Sequence, residues 1–272
     1  MSNESVAKKQ RTRPTYTLLY HPGIPGRGEY IRLALEASNT PYTDLAVEKK
    51  DGYAEVQQAC MNKGLESEAG NPPIFAPPAL RIVGGRDDGG TLVISQTPNI
   101  LDYLGGRVGM AGDAGKEDEK YFVAEVALTA LDLSNEVHDS HHPVAVALYY
   151  EDQKEESLRR AKDLRENRIP KFFSYFARTL KHNAEKSGQG RYLVSDRLTY
   201  ADTTVWQVLD GLYFAFPKEM AARKEEEEFR ELLGPFYDGV KEEKGIKEYL
   251  ASGRRMEYSM GLFRRYPELD RQ

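Results

Sequence analysis

Tyr20 closes an apolar and β-branched run, Thr15-Tyr16-Thr17-Leu18-Leu19-Tyr20-His21, after which the chain turns through Pro22-Gly23-Ile24-Pro25-Gly26. A phenolic hydroxyl placed there can donate a hydrogen bond to an anion and remain protonated, because its ordinary pKa lies near 10. The turn itself contributes neither a hydroxyl nor a thiol. Taken alone, Tyr20 reads first as an ordinary strand aromatic. Thr97 precedes Pro98 at the head of a helical segment, where its backbone N–H and hydroxyl can meet a carboxylate or simply cap the helix. Residues 138–142 read His-Asp-Ser-His-His. On a helix His138 and His142 would share a face, a spacing that suits zinc, but no fourth ligand is evident and no metal site is assigned. Cys60 is the single cysteine and stands among polar residues without a neighbouring His/Asp motif. It is read as structural and not as a nucleophile.

The elements that must position these residues follow from pattern and punctuation. Residues 15–21 predict a strand, Pro22 to Gly26 break it, and Glu29 to Ser38 has helical periodicity with Ile31, Ala34 and Leu35 on one face. Tyr42 to Val47 predicts a second strand. Residues 50–75 predict one irregular helix and a Gly- and Glu-rich loop. Ala79 to Val83 and Thr91 to Ser95 predict two strands joined by the hairpin signal Gly84-Gly85-Arg86-Asp87-Asp88-Gly89-Gly90. A helix from Thr97 through Leu104 should close at Gly105-Gly106. The order β-α-β-(α)-β-β-α implies a small α/β layer with a mixed sheet over residues 15–106. Residues 107–117 read as a linker. Residues 118–272 are helical nearly throughout, with Thr199-Tyr200-Ala201-Asp202 as a capping box and Lys224 to Glu231 as a solvated helix face. Trp206 is expected in the helical core.

Composition bounds the function. The chain has 272 residues, comfortable for two domains, with 40% hydrophobic residues and a net charge of −5. That balance argues against general nucleic-acid binding, which needs a basic footprint. No apolar run approaches the roughly 18 residues of a membrane span, and no signal peptide is visible in the polar, basic start, residues 1–14, which is expected to be a disordered tail. One cysteine allows no intrachain disulfide and fits a reducing, cytoplasmic compartment.

Four segments, in order along the chain, resemble the cytosolic glutathione transferases that use tyrosine. Leu19-Tyr20-His21-Pro22 with Gly26-Arg27-Gly28-Glu29 and Ile31-Arg32-Leu33 resembles their first strand, active loop and first helix. Phe75-Ala76-Pro77-Pro78-Ala79-Leu80 resembles their cis-proline turn, Ser95-Gln96-Thr97-Pro98-Asn99-Ile100-Leu101-Asp102-Tyr103-Leu104 their glutathione-binding strand–helix junction, and Leu198-Thr199-Tyr200-Ala201-Asp202 the capping box of their helical domain. The resemblance implies an α/β thioredoxin-like N-terminal domain, an all-α C-terminal helical-bundle domain and a homodimer. It implies glutathione as co-substrate with no further cofactor, a small hydrophobic electrophile as the second substrate, and detoxification as the task.

By the same resemblance Tyr20 is the catalytic hydroxyl, and Arg27 at the start of the first helix adds positive charge beside it. Gln96 and Thr97 hold the γ-glutamyl end. Pro78 is the cis-proline, preceded by the residue that pairs with the cysteinyl unit. Here that residue is Pro77, which has no N–H, so either one of two expected hydrogen bonds is lost or Pro77 is itself the cis residue and Ala76 makes the pair. Lys49, Lys50 and Lys63 are the candidates for the glycyl carboxylate. His138 is placed near the electrophile pocket, as are Tyr149 and Tyr150, which could equally pack between helices.

The energetics fit a tyrosine mechanism. A thiol with a pKa of about 8.5 must fall by about two units, or about 3 kcal/mol, to be mostly ionised at neutral pH. A hydrogen bond to a charged group supplies about 1.5–3 kcal/mol, and a helix N-terminus up to about 1 kcal/mol more. Glutathione-dependent isomerisation or peroxide reduction would use the same residues. A non-catalytic binding or assembly module would have no need of them.

Overall fold

The computed structural model describes residues 14–188 and 190–272. The expected basic tail, apart from Pro14, lies outside the described residues. The described residues divide into two compact units that interleave in sequence: residues 14–22 with 41–96, and residues 23–40 with 97–272.

The first unit is built on four strands: β1 (Thr15–Leu19), β2 (Tyr42–Asp44), β3 (Ala79–Val83) and β4 (Leu92–Ser95), in the order β2-β1-β3-β4. β1 runs parallel to β2, while β3 is antiparallel to both β1 and β4, giving the mixed sheet expected from sequence. β2 is shorter than predicted. At Leu45 the chain enters a single helical turn, α2 (Leu45–Glu48), in which the Glu48 carboxylate accepts from the Asp44 backbone N–H at 2.7 Å. That local bond competes with continued strand pairing. α3 (Gly52–Cys60) then packs back, and a Cβ at Gly52 would stand 1.9 Å from the Leu45 carbonyl oxygen, so only glycine allows this turn. Leu19, Leu45, Val56, Ala59, Cys60, Ala79 and Val93 form the core between sheet and helices. The loop after α3 is pinned by Asn71, whose amide donates to the carbonyls of Glu68 and Thr91 and accepts from the Val93 N–H at 3.1 Å.

The second unit is helical. Its long members are α1 (Gly28–Ala37), α4 (Thr97–Val108), α5 (Glu119–Asp139), α6 (Lys154–Asp163), α7 (Ile169–Ser187) and α8 (Tyr200–Ala215), with shorter α9 (Pro217–Lys224), α10 (Tyr237–Lys241) and α11 (Lys244–Ala251) completing it. α1 buries Tyr30, Leu33 and Ala34 in the same core as Leu101 of α4, Val126 and Leu133 of α5, Phe173 and Phe176 of α7 and Trp206 of α8. Trp206 is buried as expected, its indole N–H donating to the Tyr237 carbonyl at 3.1 Å. Among the described residues no helix is long and apolar enough to cross a membrane.

Three local expectations change here. α4 does not close at Gly105-Gly106. It continues to Val108 and ends at Gly109, which takes φ +76°. Gly105 serves packing, since a Cβ there would meet the Tyr200 ring at 2.6 Å. The charged run from Lys224 to Glu231 is not one helix face: α9 ends at Lys224, and a single turn at Glu227–Phe229 drives Phe229 into the core. Finally, α5 ends at Asp139, so His142 lies beyond the helix that carries His138.

A polar network binds α1 to the C-terminal segment. The buried Glu29 carboxylate accepts from Arg32 (3.3 Å), Tyr249 (3.2 Å) and Arg255 (3.0 Å). Arg255 also donates to Gln207 at 2.9 Å and Asp210 at 2.8 Å.

The capping box of α8 forms as predicted. Asp202 Oδ2 accepts from the Thr199 backbone N–H and from its hydroxyl, each at 2.8 Å, while Oδ1 accepts from the Leu193 N–H at 2.8 Å. Asp202 is fully buried, so Asp202→Ala strands two backbone N–H groups. The substitution should lower stability by about 2–4 kcal/mol in urea unfolding. A loss under about 0.5 kcal/mol would show that water replaces the carboxylate.

Candidate functional site

Strand register decides which candidates meet in the first unit. Leu19 pairs with Ala79, and Ala79 pairs with Ser95. Because β3 runs opposite to β1 and β4, the next residue after Leu19, the one before Ala79 and the one after Ser95 all leave the same end of the sheet. They are Tyr20, Pro78 and Gln96. With strands about 4.8 Å apart, the three stand abreast over about 10 Å.

Tyr20 is 5% exposed, and its ring meets that of His21 edge-on at 5.2 Å. His21 Nδ1 lies 3.1 Å from the Tyr53 hydroxyl, and burial lowers its pKa. His21 and Tyr53 carry no motif and were not foreseen, although His21 adjoins Tyr20 in sequence. The Pro77–Pro78 peptide is cis, so of the two alternatives Pro78 is the cis residue. Pro78 is buried and Pro77 half-buried. Pro77 therefore offers its carbonyl and no N–H to a strand-like partner. Gln96 is exposed and holds φ +72°, the left-handed region that costs a non-glycine residue about 1 kcal/mol or more. Lys49 and Lys50 are exposed in the turn between α2 and α3, and Lys63 is exposed beyond α3. Arg81 of β3, also unforeseen, pairs with Glu68 and lies 3.8 Å from Glu55. Cys60 is 1% exposed, and burial pushes its thiol up to about 11, which leaves it without thiolate character at neutral pH.

In the second unit Thr97 begins α4 and is 3% exposed, and its hydroxyl oxygen is buried with no hydrogen-bond partner among the described residues. A buried hydroxyl at a helix N-terminus without an acceptor or donor of its own suits an incoming anionic or polar group. Arg27 stands immediately before α1 and donates from Nη2 to Asn135 Oδ1 of α5 at 2.7 Å. One turn on from Asn135 is His138, half-buried, its pKa pushed down to about 4 by burial and then by the His142 and Arg27 charges. Arg27 and His138 thus share one neighbourhood. Tyr150 is buried and stacks on Tyr266 at 3.7 Å, whereas Tyr149 is 78% exposed. A cavity of about 500 Å³ between α5 and α7, lined by Phe122, Tyr175, Arg178 and His182 among others, contains none of the residues singled out from sequence.

Residues 138–253 match the family model described as the C-terminal domain of glutathione S-transferase. Among solved structures the chain is similar to the glutathione S-transferase from Ascaris lumbricoides, at 21% identity, over 89% of this chain and 98% of that one, with a TM-score of 0.60. It is similar to the sigma class enzyme of Fasciola hepatica (18% identity, 90% and 99% covered, TM-score 0.61). It is also similar to the Pi-class glutathione S-transferase of Onchocerca volvulus (20% identity, 88% and 93% covered, TM-score 0.61). No curated protein matches the chain in sequence. At these identities the likeness is one of fold: a thioredoxin-like layer followed by a helical domain.

The left-handed backbone at Gln96 has a measurable cost. Gln96→Gly should stabilise the protein by about 1 kcal/mol in urea unfolding. An unchanged or lowered stability would mean that the glutamine side chain itself holds this turn.

Proposed function

We propose that this chain, which has the glutathione transferase fold and carries that family's C-terminal domain over residues 138–253, binds glutathione and ionises its thiol through the Tyr20 hydroxyl for attack on a hydrophobic electrophile. The observation that carries this reading is the register that sends Tyr20, cis Pro78 and Gln96 off one end of the sheet. A hydroxyl for the cysteinyl sulfur, a strand-like carbonyl at Pro77 for the cysteinyl backbone and a polar side chain at Gln96 for the γ-glutamyl end then stand side by side.

Each residue has a role set by its chemistry. The Tyr20 O–H donates to the thiolate sulfur and stays protonated, while the thiol proton leaves to solvent. The thiolate then forms a carbon–sulfur bond to the electrophile, whose leaving group departs with its electron pair. Arg27 contributes positive charge. Gln96 and the buried Thr97 hydroxyl take the γ-glutamyl group, for which the unpartnered Thr97 oxygen is a supporting observation. Pro77 accepts one hydrogen bond and donates none, so the cysteinyl unit is held by one backbone bond in place of two. His138, uncharged at neutral pH, offers a polar wall for the second substrate.

A homodimer accompanies this reading. α5 leaves Tyr121 and Leu128 exposed at 66% and 48%, seven residues apart on one side of the helix, an apolar stripe that a second copy would cover. A cytoplasmic location fits a chain whose single cysteine is buried.

Replacing Tyr20 by Phe removes the donor and keeps the ring. Loss of about 1.5–3 kcal/mol of thiolate stabilisation predicts a fall of about 10- to 150-fold in kcat/KM for conjugation of glutathione to chlorodinitrobenzene. Glutathione affinity should change little. An unchanged rate would remove Tyr20 from the mechanism, and a wild-type protein that binds glutathione without turnover would favour the non-catalytic module.

A further inference from the structure

Three of the five histidines of this chain meet where α5 ends. The His138 and His142 rings stack at 5.0 Å, and His141 meets each of them edge-on at 4.9 Å. One nitrogen from each ring lies within 4.8 Å of the other two. His141 is 1% exposed, His142 9%, and His138 forms the more open side, with 18% of its side chain exposed.

The hydrogen bonds around the rings leave lone pairs to give. His141 Nε2 lies 3.1 Å from the Leu262 carbonyl, so it carries the proton and donates. That leaves Nδ1 of His141 as a bare lone pair, buried and without a hydrogen-bond partner among the described residues. An orphaned acceptor in the protein interior calls for something to fill it. His138 Nδ1 faces the Asp139 carboxylate at 3.6 Å, an arrangement that directs Nε2 away from the carboxylate. His142 Nδ1 accepts from the Gln153 amide at 3.2 Å, and that amide has the Ala145 and Leu148 carbonyls at 3.1 and 3.2 Å as other acceptors. Giving the His142 lone pair to an ion thus leaves Gln153 satisfied. A ring held through its second nitrogen by a backbone carbonyl, as His141 is by Leu262, has the usual support of a metal-ligating histidine.

We propose that His138, His141 and His142 form a three-histidine site for a divalent transition-metal ion of the zinc or copper class, with the fourth position open to water. Imidazole nitrogens suit these ions, and three of them with an open position is a known zinc arrangement. Bonds of about 2.0–2.1 Å require the ring nitrogens to close in by about 1 Å each, and the His138 and His142 rings, 26° from parallel, to rotate so that both lone pairs point at one ion. The charges nearby are mixed. Asp139 favours a cation, while Arg27 and Arg264 oppose it. The sequence shows only the spacing of His138 and His142. The turn after Asp139 brings in His141 and supplies the third ligand.

The experiment titrates untagged full-length protein with Co2+ and then Zn2+, without glutathione, and reads the visible d–d absorption and the heat of binding. One Co2+ per chain with a tetrahedral spectrum, displaced by Zn2+, is expected. The His138→Gln variant and the His138→Gln/His142→Gln double variant, both checked for native circular dichroism, should weaken binding by at least about 100-fold. His182→Gln, whose ring lies outside the cluster, should bind as the wild type does. Absence of Co2+ and Zn2+ binding below about 1 mM in the wild type, or equal binding by the double variant, overturns the site. Because the readout omits glutathione, neither result bears on the role of Tyr20, and loss of conjugation in Tyr20→Phe leaves the metal result standing.

Discussion

The antiparallel pairing of β3 with both of its neighbours is the constraint on which the candidate site depends. It sets the rung Leu19–Ala79–Ser95, and that rung determines which three residues leave the sheet together. A slip of one residue would turn Ala79 and Leu80, both fully buried, to opposite faces and move Pro78 away from Tyr20 and Gln96. Register is thus enforced by the core under the sheet, where Leu19, Ala79 and Val93 pack on Val56 and Ala59. The chemistry proposed for Tyr20 is inherited from that packing and needs no special motif at Tyr20 itself.

In the helical unit the comparable constraint is the buried carboxylate of Glu29. It lies in the first turn of α1, two residues after Arg27, and is held by Arg32, Tyr249 and Arg255. Burying a charge is tolerated only when it is paired and hydrogen-bonded, and breaking one such partner costs several kcal/mol. The network therefore fixes the start of α1 against α8 and the C-terminal segment. From that start Arg27 reaches Asn135 and stands near His138. Two buried side-chain atoms of this unit, the Thr97 hydroxyl oxygen and His141 Nδ1, have no hydrogen-bond partner among the described residues. The first fits a polar end of a peptide ligand, and the second a metal ion.

Much of this was legible in the sequence where local chemistry decides structure. Thr97-Pro98 marks the head of α4, and Thr199 with Asp202 marks the head of α8, because caps act over three or four residues. The order of strands and helices could be read from hydrophobic period and turn residues. What could not be read depends on distant partners. β2 stops at Asp44 because Glu48 folds back on it. Gly105 is a packing glycine that a ring on α8 requires, although in sequence it looks like a helix stop. His141 joins the other two imidazoles only because α5 ends at Asp139. Arg255 reaches Glu29 across more than two hundred residues, a pairing with no local signature.

The central claim is that the protein lowers the pKa of a bound thiol. The most direct test is a pH titration of the ultraviolet thiolate absorbance of glutathione bound to the wild-type protein. The account predicts an apparent pKa about two units below the free value of about 8.5. Binding with an unshifted pKa, or no binding, would contradict it.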